Sequence, residues 1–252
     1  MNKPSPPRAS GLSPLASSLT TKPRPPRVIA IGDVHGCLAA LEAILDAVAP
    51  TADDTLVTLG DYVDRGPDSK GVIDALLAVA KKCRLIPILG NHEEMLLGVV
   101  DGKISPADWL RAGGLATLES YGPPPGSADP AEPEPDMTAI PQAHIDFFRS
   151  CRDYHETDTH LLLHANYDPD LPLAQQEPAT IRWRSLRASV PGPHCSGKTA
   201  IVGHTPTRSG EIFDVGYLKG IDTYCYGGGW LTALDLAGGE IWQADRDGAL
   251  RK

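Results

Sequence analysis

No apolar run in the 252 residues approaches the ~20 that a helix needs to cross a bilayer, so no membrane span and no membrane partner are expected. Cysteine is sparse and unpaired in pattern. Cys37, Cys83, Cys151, Cys195 and Cys225 are odd in number and no two form a CxxC, which sets aside a disulfide framework and suits reduced thiols in a cytoplasm. Basic charge is in deficit: the formal net charge of −9 excludes a general affinity for nucleic acid, whose backbone requires a positive surface. A local phosphate site is not excluded, because a bound cation can outweigh the global sign. Lys3 and Arg8 are not followed by an apolar stretch, so no secretory leader is expected.

What is present is a chain with 41% hydrophobic residues, enough to bury a sizeable core in one large α/β domain. Residues 1–27, rich in Pro, Ser and basic groups, are expected to be a disordered tail. The domain is expected over 28–252, its ordered core over about 28–244, with a Pro-rich acidic insertion at about 122–136. Five short apolar runs bounded by glycine or histidine read as buried strands: 28–32, 55–60, 84–90, 160–164 and 199–203. Apolar positions 38, 41, 44, 45 and 48 share one helical face, as do 72, 73, 76, 77 and 80. Strand, helix, strand, helix, strand implies a βαβαβ core. Further helices are expected near 93–100 and 106–120, and short strands at 211–214, 218–222, 230–236 and 240–244. The oligomeric state is not legible.

Each of the five runs ends in residue types that bind metals. The first leads to Asp33 and His35, the second to Asp61, Asp64 and Arg65, the third to Asn91 and His92, the fourth to His164 and the fifth to His204. Ligands of α/β sheets gather at the carboxyl ends of strands, so five such ends can converge on one point. Carboxylate, imidazole and amide oxygen suit two divalent cations, manganese first, with iron or zinc as alternatives. One cation would take Asp33, His35 and Asp61; the other Asn91, His164 and His204, with Asp61 bridging. A pair so bridged acidifies a shared water, giving a nucleophile at neutral pH without a protein nucleophile.

The segments GDVHG (32–36), GDYVDRG (60–66), GNHE (90–93), HAN (164–166) and GHT (203–205) resemble the five motifs of the phosphoprotein phosphatase family, bacterial branch, of the calcineurin-like metallophosphoesterase superfamily. The resemblance runs from about residue 28 to the C-terminal strands. It implies an α/β fold with two β-sheets packed as a sandwich and flanked by helices. It implies the same six ligands, Asp33, His35, Asp61, Asn91, His164 and His204, with Asn91 also reaching the substrate phosphate. His92 matches the general acid that protonates the leaving oxygen, Asp64 the carboxylate that keeps that imidazole protonated, and Arg65 a phosphate clamp. A second clamp is expected after a Trp before the last motif, where Arg182, Arg184 and Arg187 are candidates and Arg184 is favoured. A guanidinium meets two phosphate oxygens at once, and an acid within reach of a developing alkoxide lowers the barrier.

The implied reaction is hydrolysis of a phosphate monoester, with phosphoserine or phosphothreonine in proteins as substrate. The alternative is a bis(5'-nucleosyl)-tetraphosphatase, a sister branch with similar motifs that usually departs from Asp at position 64. The segment IDTYCYGGGW (221–230), where eukaryotic protein phosphatases carry SAPNYCG, points away from protein substrates. A non-enzymatic phosphopeptide-binding module is the third reading, set against the intact His92 and Asp64. Trp109 with Gly113-Gly114 is read as packing or as substrate contact, and Tyr224 and Tyr226, which could line the site, are assigned a core or turn role first. The string GPHCSGKT (192–199) matches a nucleotide phosphate loop, but its prolines and the strand pattern after it argue against one.

Overall fold

The computed structural model describes residue 1, residues 25–122 and residues 137–252. Most of the expected tail and all but the first residue of the expected insertion lie outside the described residues. Arg27, assigned to the tail, instead belongs to the folded body. Its guanidinium donates to Val48 O at 2.8 Å and pairs with buried Asp54 at 3.1 Å.

The chain opens with β1 (Val28–Ile31), α1 (Leu38–Val48), β2 (Thr55–Thr58), α2 (Ser69–Val79) and β3 (Arg84–Pro87), the three strands parallel and adjacent. Then come α3 (Asn91–Val100), α4 (Pro106–Trp109), α5 (Leu115–Tyr121) and α6 (Gln142–Ser150). The second half holds β4 (Tyr154–Glu156), β5 (His160–Leu163), α7 (Pro178–Trp183), β6 (Thr199–Val202), β7 (Phe213–Asp214), β8 (Leu218–Gly220), β9 (Asp222–Thr223), β10 (Trp230–Asp235) and β11 (Ile241–Ala244). The first sheet has the order β11-β10-β1-β2-β3, with β9 also on β10; the second has the order β4-β5-β6-β8-β7, with β5, β6 and β8 parallel.

Strand side chains alternate between faces, and here both faces are covered. Ile29 and Ile31 of β1 pack in the layer of α1 and α2, whereas Ala30 meets Val57, Ile86, Leu162 and Ile201 between the sheets. Leu162 of β5 and Ile201 of β6 supply the other side of that inner layer. Their neighbours Leu161, Leu163, Ala200 and Val202 face outward under Ile181 of α7. Double coverage is why these strands read as continuous apolar runs. The expected architecture, two sheets flanked by helices, is the one observed.

Two helices depart from the periodic reading. α2 starts before its apolar face does, because the Asp68 carboxylate caps it by accepting from Gly71 N at 2.7 Å. The helix expected over 106–120 is broken by a widened turn over Leu110–Gly114, where Gly113 adopts φ 120°. The phosphate-loop look-alike runs into β6 rather than a helix, and Lys198 is spent on Glu156 (2.8 Å) and Thr157 O (2.6 Å). Among the described residues the five cysteines are unpaired and no helix is long and apolar enough to cross a membrane.

Candidate active site

Parallel pairing brings the strand ends to one edge. The turn after β1 carries Asp33 and His35, and the turn after β2 carries Asp61, Asp64 and Arg65. Asn91 and His92 form the first turn of α3 after β3; His164 follows β5, and His204 follows β6. The turns are tight enough to force left-handed backbone at His35 (φ 43°), Asp61 (51°), Asp64 and Arg65 (71° each) and His204 (62°). Such conformations cost ~1–3 kcal/mol each in a non-glycine residue, and only Ala49 and Tyr224 share them among the described non-glycine residues. Backbone strain is thus concentrated where the polar residues meet. Glycine is obligatory alongside: a Cβ on Gly203 would lie 2.0 Å from Asp33 Oδ1, and one on Gly90 2.3 Å from Asp61 Oδ1.

All six expected ligands come together. Asp61 stands at the centre, 3.4 Å from His35 Nε2 through one oxygen and 3.4 Å from His164 Nε2 through the other. Asn91 Oδ1 lies 3.0 Å from His164 Nε2 and 2.9 Å from His204 Nδ1. Asp33 accepts from His204 N at 2.8 Å through Oδ2, while its buried Oδ1 has no partner. Three imidazoles are oriented from behind by backbone carbonyls. His35 Nδ1 donates to Val63 O (2.9 Å), His164 Nδ1 to Leu59 O (2.7 Å) and His204 Nε2 to Trp183 O (3.0 Å). Each donation fixes the tautomer and turns the other nitrogen's lone pair toward Asp61 and Asn91.

That donor set fits a pair of cations. Converging lone pairs held by outer carbonyls are the usual support of metal-bound histidine, and they leave Asn91 Oδ1 facing two nitrogens that have no proton to give. Burial lowers the pKa of His35, His164 and His204, the last to about 4, keeping them neutral and able to ligate. Burial raises Asp33 well above the carboxylate range, with Asp222 and Asp61 adding to it, and pushes Asp222 up to about 7. Three buried carboxylates facing one another are an excess of negative charge that cations relieve. The groups His35, Asp61 and His92, and Asp61, His164 and His204, each bring their ligand atoms within 4.8 Å, with Asp61 common to both.

His92 differs from the other three. Its Nδ1 meets Asp64 Oδ2 at 2.6 Å, and Nε2 faces Asp61 at 4.0 Å. Burial opposes its charge, but Asp61 and the bond to Asp64 outweigh it and raise its pKa. Asp64 in turn accepts from Trp109 Nε1 and Thr117 Oγ1. Trp109 is fully buried, in keeping with its expected packing role, but it also carries a polar contact that the sequence did not reveal.

Glu93, the last residue of GNHE, is not among the expected site residues. Its carboxylate accepts from the backbone N–H groups of Asp61 (2.8 Å), Tyr62 (2.7 Å), Val63 (3.2 Å) and Gly90 (3.1 Å), clamping the turn that carries Asp61. Arg65 is exposed, with Nη1 3.0 Å from His35 Nε2 and its guanidinium 4.8 Å over the Tyr226 ring. Tyr226 lies edge-on to His35 at 4.9 Å and to Tyr224 at 4.9 Å, and Arg208 stands 5.9 Å over Tyr224. Tyr226 therefore touches the site as well as filling a turn, and Tyr224 packs beside it. Of the three candidate arginines, Arg182 is held by Glu94 and Asp153 (2.6 Å each) and Arg187 by Pro206 O (2.6 Å). Arg184 is exposed, next to the Trp183 carbonyl that orients His204.

Residues 26–227 match the description of the calcineurin-like phosphoesterases. The chain belongs to that family. This phosphoesterase is 42% identical over 84 residues to a symmetrical bis(5'-nucleosyl)-tetraphosphatase of Burkholderia pseudomallei strain 668, and equally so to one of Burkholderia mallei strain SAVP1. Each match covers 32% of this chain and only 29% of the relative's length. Over most of its length the phosphoesterase superposes on a crystal structure provisionally named a diadenosine tetraphosphatase. The TM-score is 0.65 at 26% identity, covering 86% of this chain and 92% of that one. A serine/threonine phosphatase of Saccharomyces cerevisiae shares the fold alone, with TM-score 0.57, 15% identity and coverage of 90% and 81%.

Proposed function

We propose that this phosphoesterase hydrolyses a dinucleoside polyphosphate of the bis(5'-nucleosyl)-tetraphosphate class, using two divalent cations, manganese first. Asp33, His35 and Asp61 would hold one cation, and Asp61, Asn91, His164 and His204 the other. Bound there, the pair supplies Lewis-acid charge and lowers the pKa of a coordinated water. Arg65 and Arg184 bind the phosphate, with Asn91 beside them, and His92 gives the proton from Nε2 to the leaving oxygen while Asp64 holds Nδ1.

One observation carries the hydrolytic reading: of the four imidazoles at the site, three turn lone pairs to the centre and the fourth is paired with a buried carboxylate. A site that only held phosphate would have no use for an imidazole paired with a buried carboxylate beside the ligands. The nucleotide substrate is supported by the relatives and by the row Arg65–Tyr226–Tyr224–Arg208 leading outward from His35. Aromatic rings accept planar bases, and arginines accept additional phosphates.

The Asp64–His92 pair favours a second reading, a phosphoserine or phosphothreonine monoester. A serine alkoxide leaves as a far stronger base than a nucleotide does, and so depends more on an acid. Turnover of diadenosine tetraphosphate against phosphopeptides under manganese separates the two. Higher kcat/KM on the dinucleotide, with KM raised by Tyr226→Ala for it but not for a small phosphate ester, is the expected result. Preference for phosphopeptides reverses the ranking, and inertness toward all phosphoesters ends the hydrolytic reading.

A further inference from the structure

We propose that Trp109, assisted by Thr117, is a positioning residue that aims the Asp64–His92 pair at the leaving oxygen, an inference that rests on reading His92 as the acid. Asp64 is fully buried, so its carboxylate is solvated by side chains. Trp109 Nε1 donates to both oxygens, at 3.1 Å to Oδ1 and 3.0 Å to Oδ2. Thr117 Oγ1 donates to Oδ1 at 2.6 Å and accepts from Asp64's own N–H at 2.8 Å. Oδ2 is left directed at His92 Nδ1, 2.6 Å away. A carboxylate can rotate about its Cβ–Cγ bond. Donors on its far side fix the plane, and through it the imidazole ring that must hold Nε2 toward substrate.

The break between α4 and α5 is shaped for this task. Gly114 leaves room for the indole, since a Cβ there would sit 2.4 Å from the ring. Gly113, at φ 120°, turns its carbonyl to accept from Arg65 N at 3.2 Å. One irregular turn therefore steadies both the carboxylate behind the acid and the backbone of the adjacent arginine. A tryptophan needed only for bulk would be served by any partner for its N–H; this one spends it on the single carboxylate that holds His92.

The test is steady-state kinetics on aryl and alkyl phosphates of graded leaving-group basicity, from p-nitrophenyl through phenyl to alkyl. The enzymes compared are wild type, His92→Asn, Trp109→Phe, Thr117→Val and the His92→Asn/Trp109→Phe double variant. Trp109→Phe is expected to lower kcat roughly 10- to 100-fold on phenyl phosphate, the worth of one hydrogen bond to a charged group. On the most activated ester the loss is a few-fold at most, with KM near wild type throughout. Thr117→Val moves in the same direction and carries the test if Trp109→Phe does not fold. In the His92→Asn background the Trp109 change is expected to cost less than about twofold, because residues acting as a unit are not additive. A loss equal across the series, or undiminished without His92, overturns the proposal and leaves Trp109 as packing. A flat series for His92→Asn itself is a different failure, removing the acid and, with it, any residue said to aim it.

Discussion

Glu93 sets the geometry of the centre without lying among the expected ligands. Four backbone donors converge on its carboxylate, so Glu93→Gln places an amide N–H₂ against N–H groups and strands at least one of them. The expected outcome is destabilisation by about 1–3 kcal/mol with weakened metal affinity, read by denaturant unfolding and metal titration; unchanged values would make the clamp redundant. His92→Asn tests the other role: turnover is expected to fall by about 10²–10⁴-fold, the range of general acid catalysis, with metal content retained. An unchanged rate removes His92 from the chemistry. At this scale the sequence exposed the residues flanked by glycine at strand ends, since those glycines mark where backbone passes close to a carboxylate. It did not expose Thr117, whose bond to Asp64 crosses 53 positions of chain with no local pattern, and it offered Tyr226 only as one of two tyrosines beside a run of glycines.

Among the elements, the five strands that lead to the candidate site were legible because both faces are apolar, and α1 because its stripe is regular. β4 and α7 were not, being too short to show a period. The kink between α4 and α5 was hidden because Gly113 and Gly114 sit inside an otherwise helical pattern. Three helices meet at a polar pin: His144 of α6 bonds Tyr121 of α5 at 2.8 Å and Asp74 of α2 at 3.1 Å. Burial lowers the His144 pKa below 6.5, against the opposing pull of Asp74. Folding therefore favours the neutral ring, so stability is unaffected by this group above pH 6.5 and declines as the pH falls below it, where the unfolded chain binds the proton more readily. His144→Gln is expected to flatten that acid-side decline in melting temperature between pH 8 and pH 5.5; an identical slope in the variant would show that the pin does not titrate on unfolding.

For the whole molecule, the important feature is that the site is divided between the sheets. Asp33, His35, Asp61 and Asn91 follow strands of the first sheet, His164 and His204 strands of the second, and the inner apolar layer packs the two together behind them. Cations held by both halves would act as a staple, stabilising the fold by about 2.7 kcal/mol at a free concentration one hundred times Kd. Chelation is accordingly expected to lower the melting temperature; a melting curve indifferent to chelator would show that the halves do not share a metal. The net charge of −9 does not conflict with binding a polyanion here, since the charge that meets phosphate is local.

Elemental analysis of the purified chain and of Asp61→Asn, after equilibration with manganese, tests most directly whether five strand ends build one dinuclear centre. Asp61 faces both groups of ligands, so the wild type should hold two ions per chain, and the variant should lose affinity for both together with its phosphoesterase turnover. A wild type that binds no metal, or an Asp61→Asn variant that keeps both ions and full turnover, would contradict it.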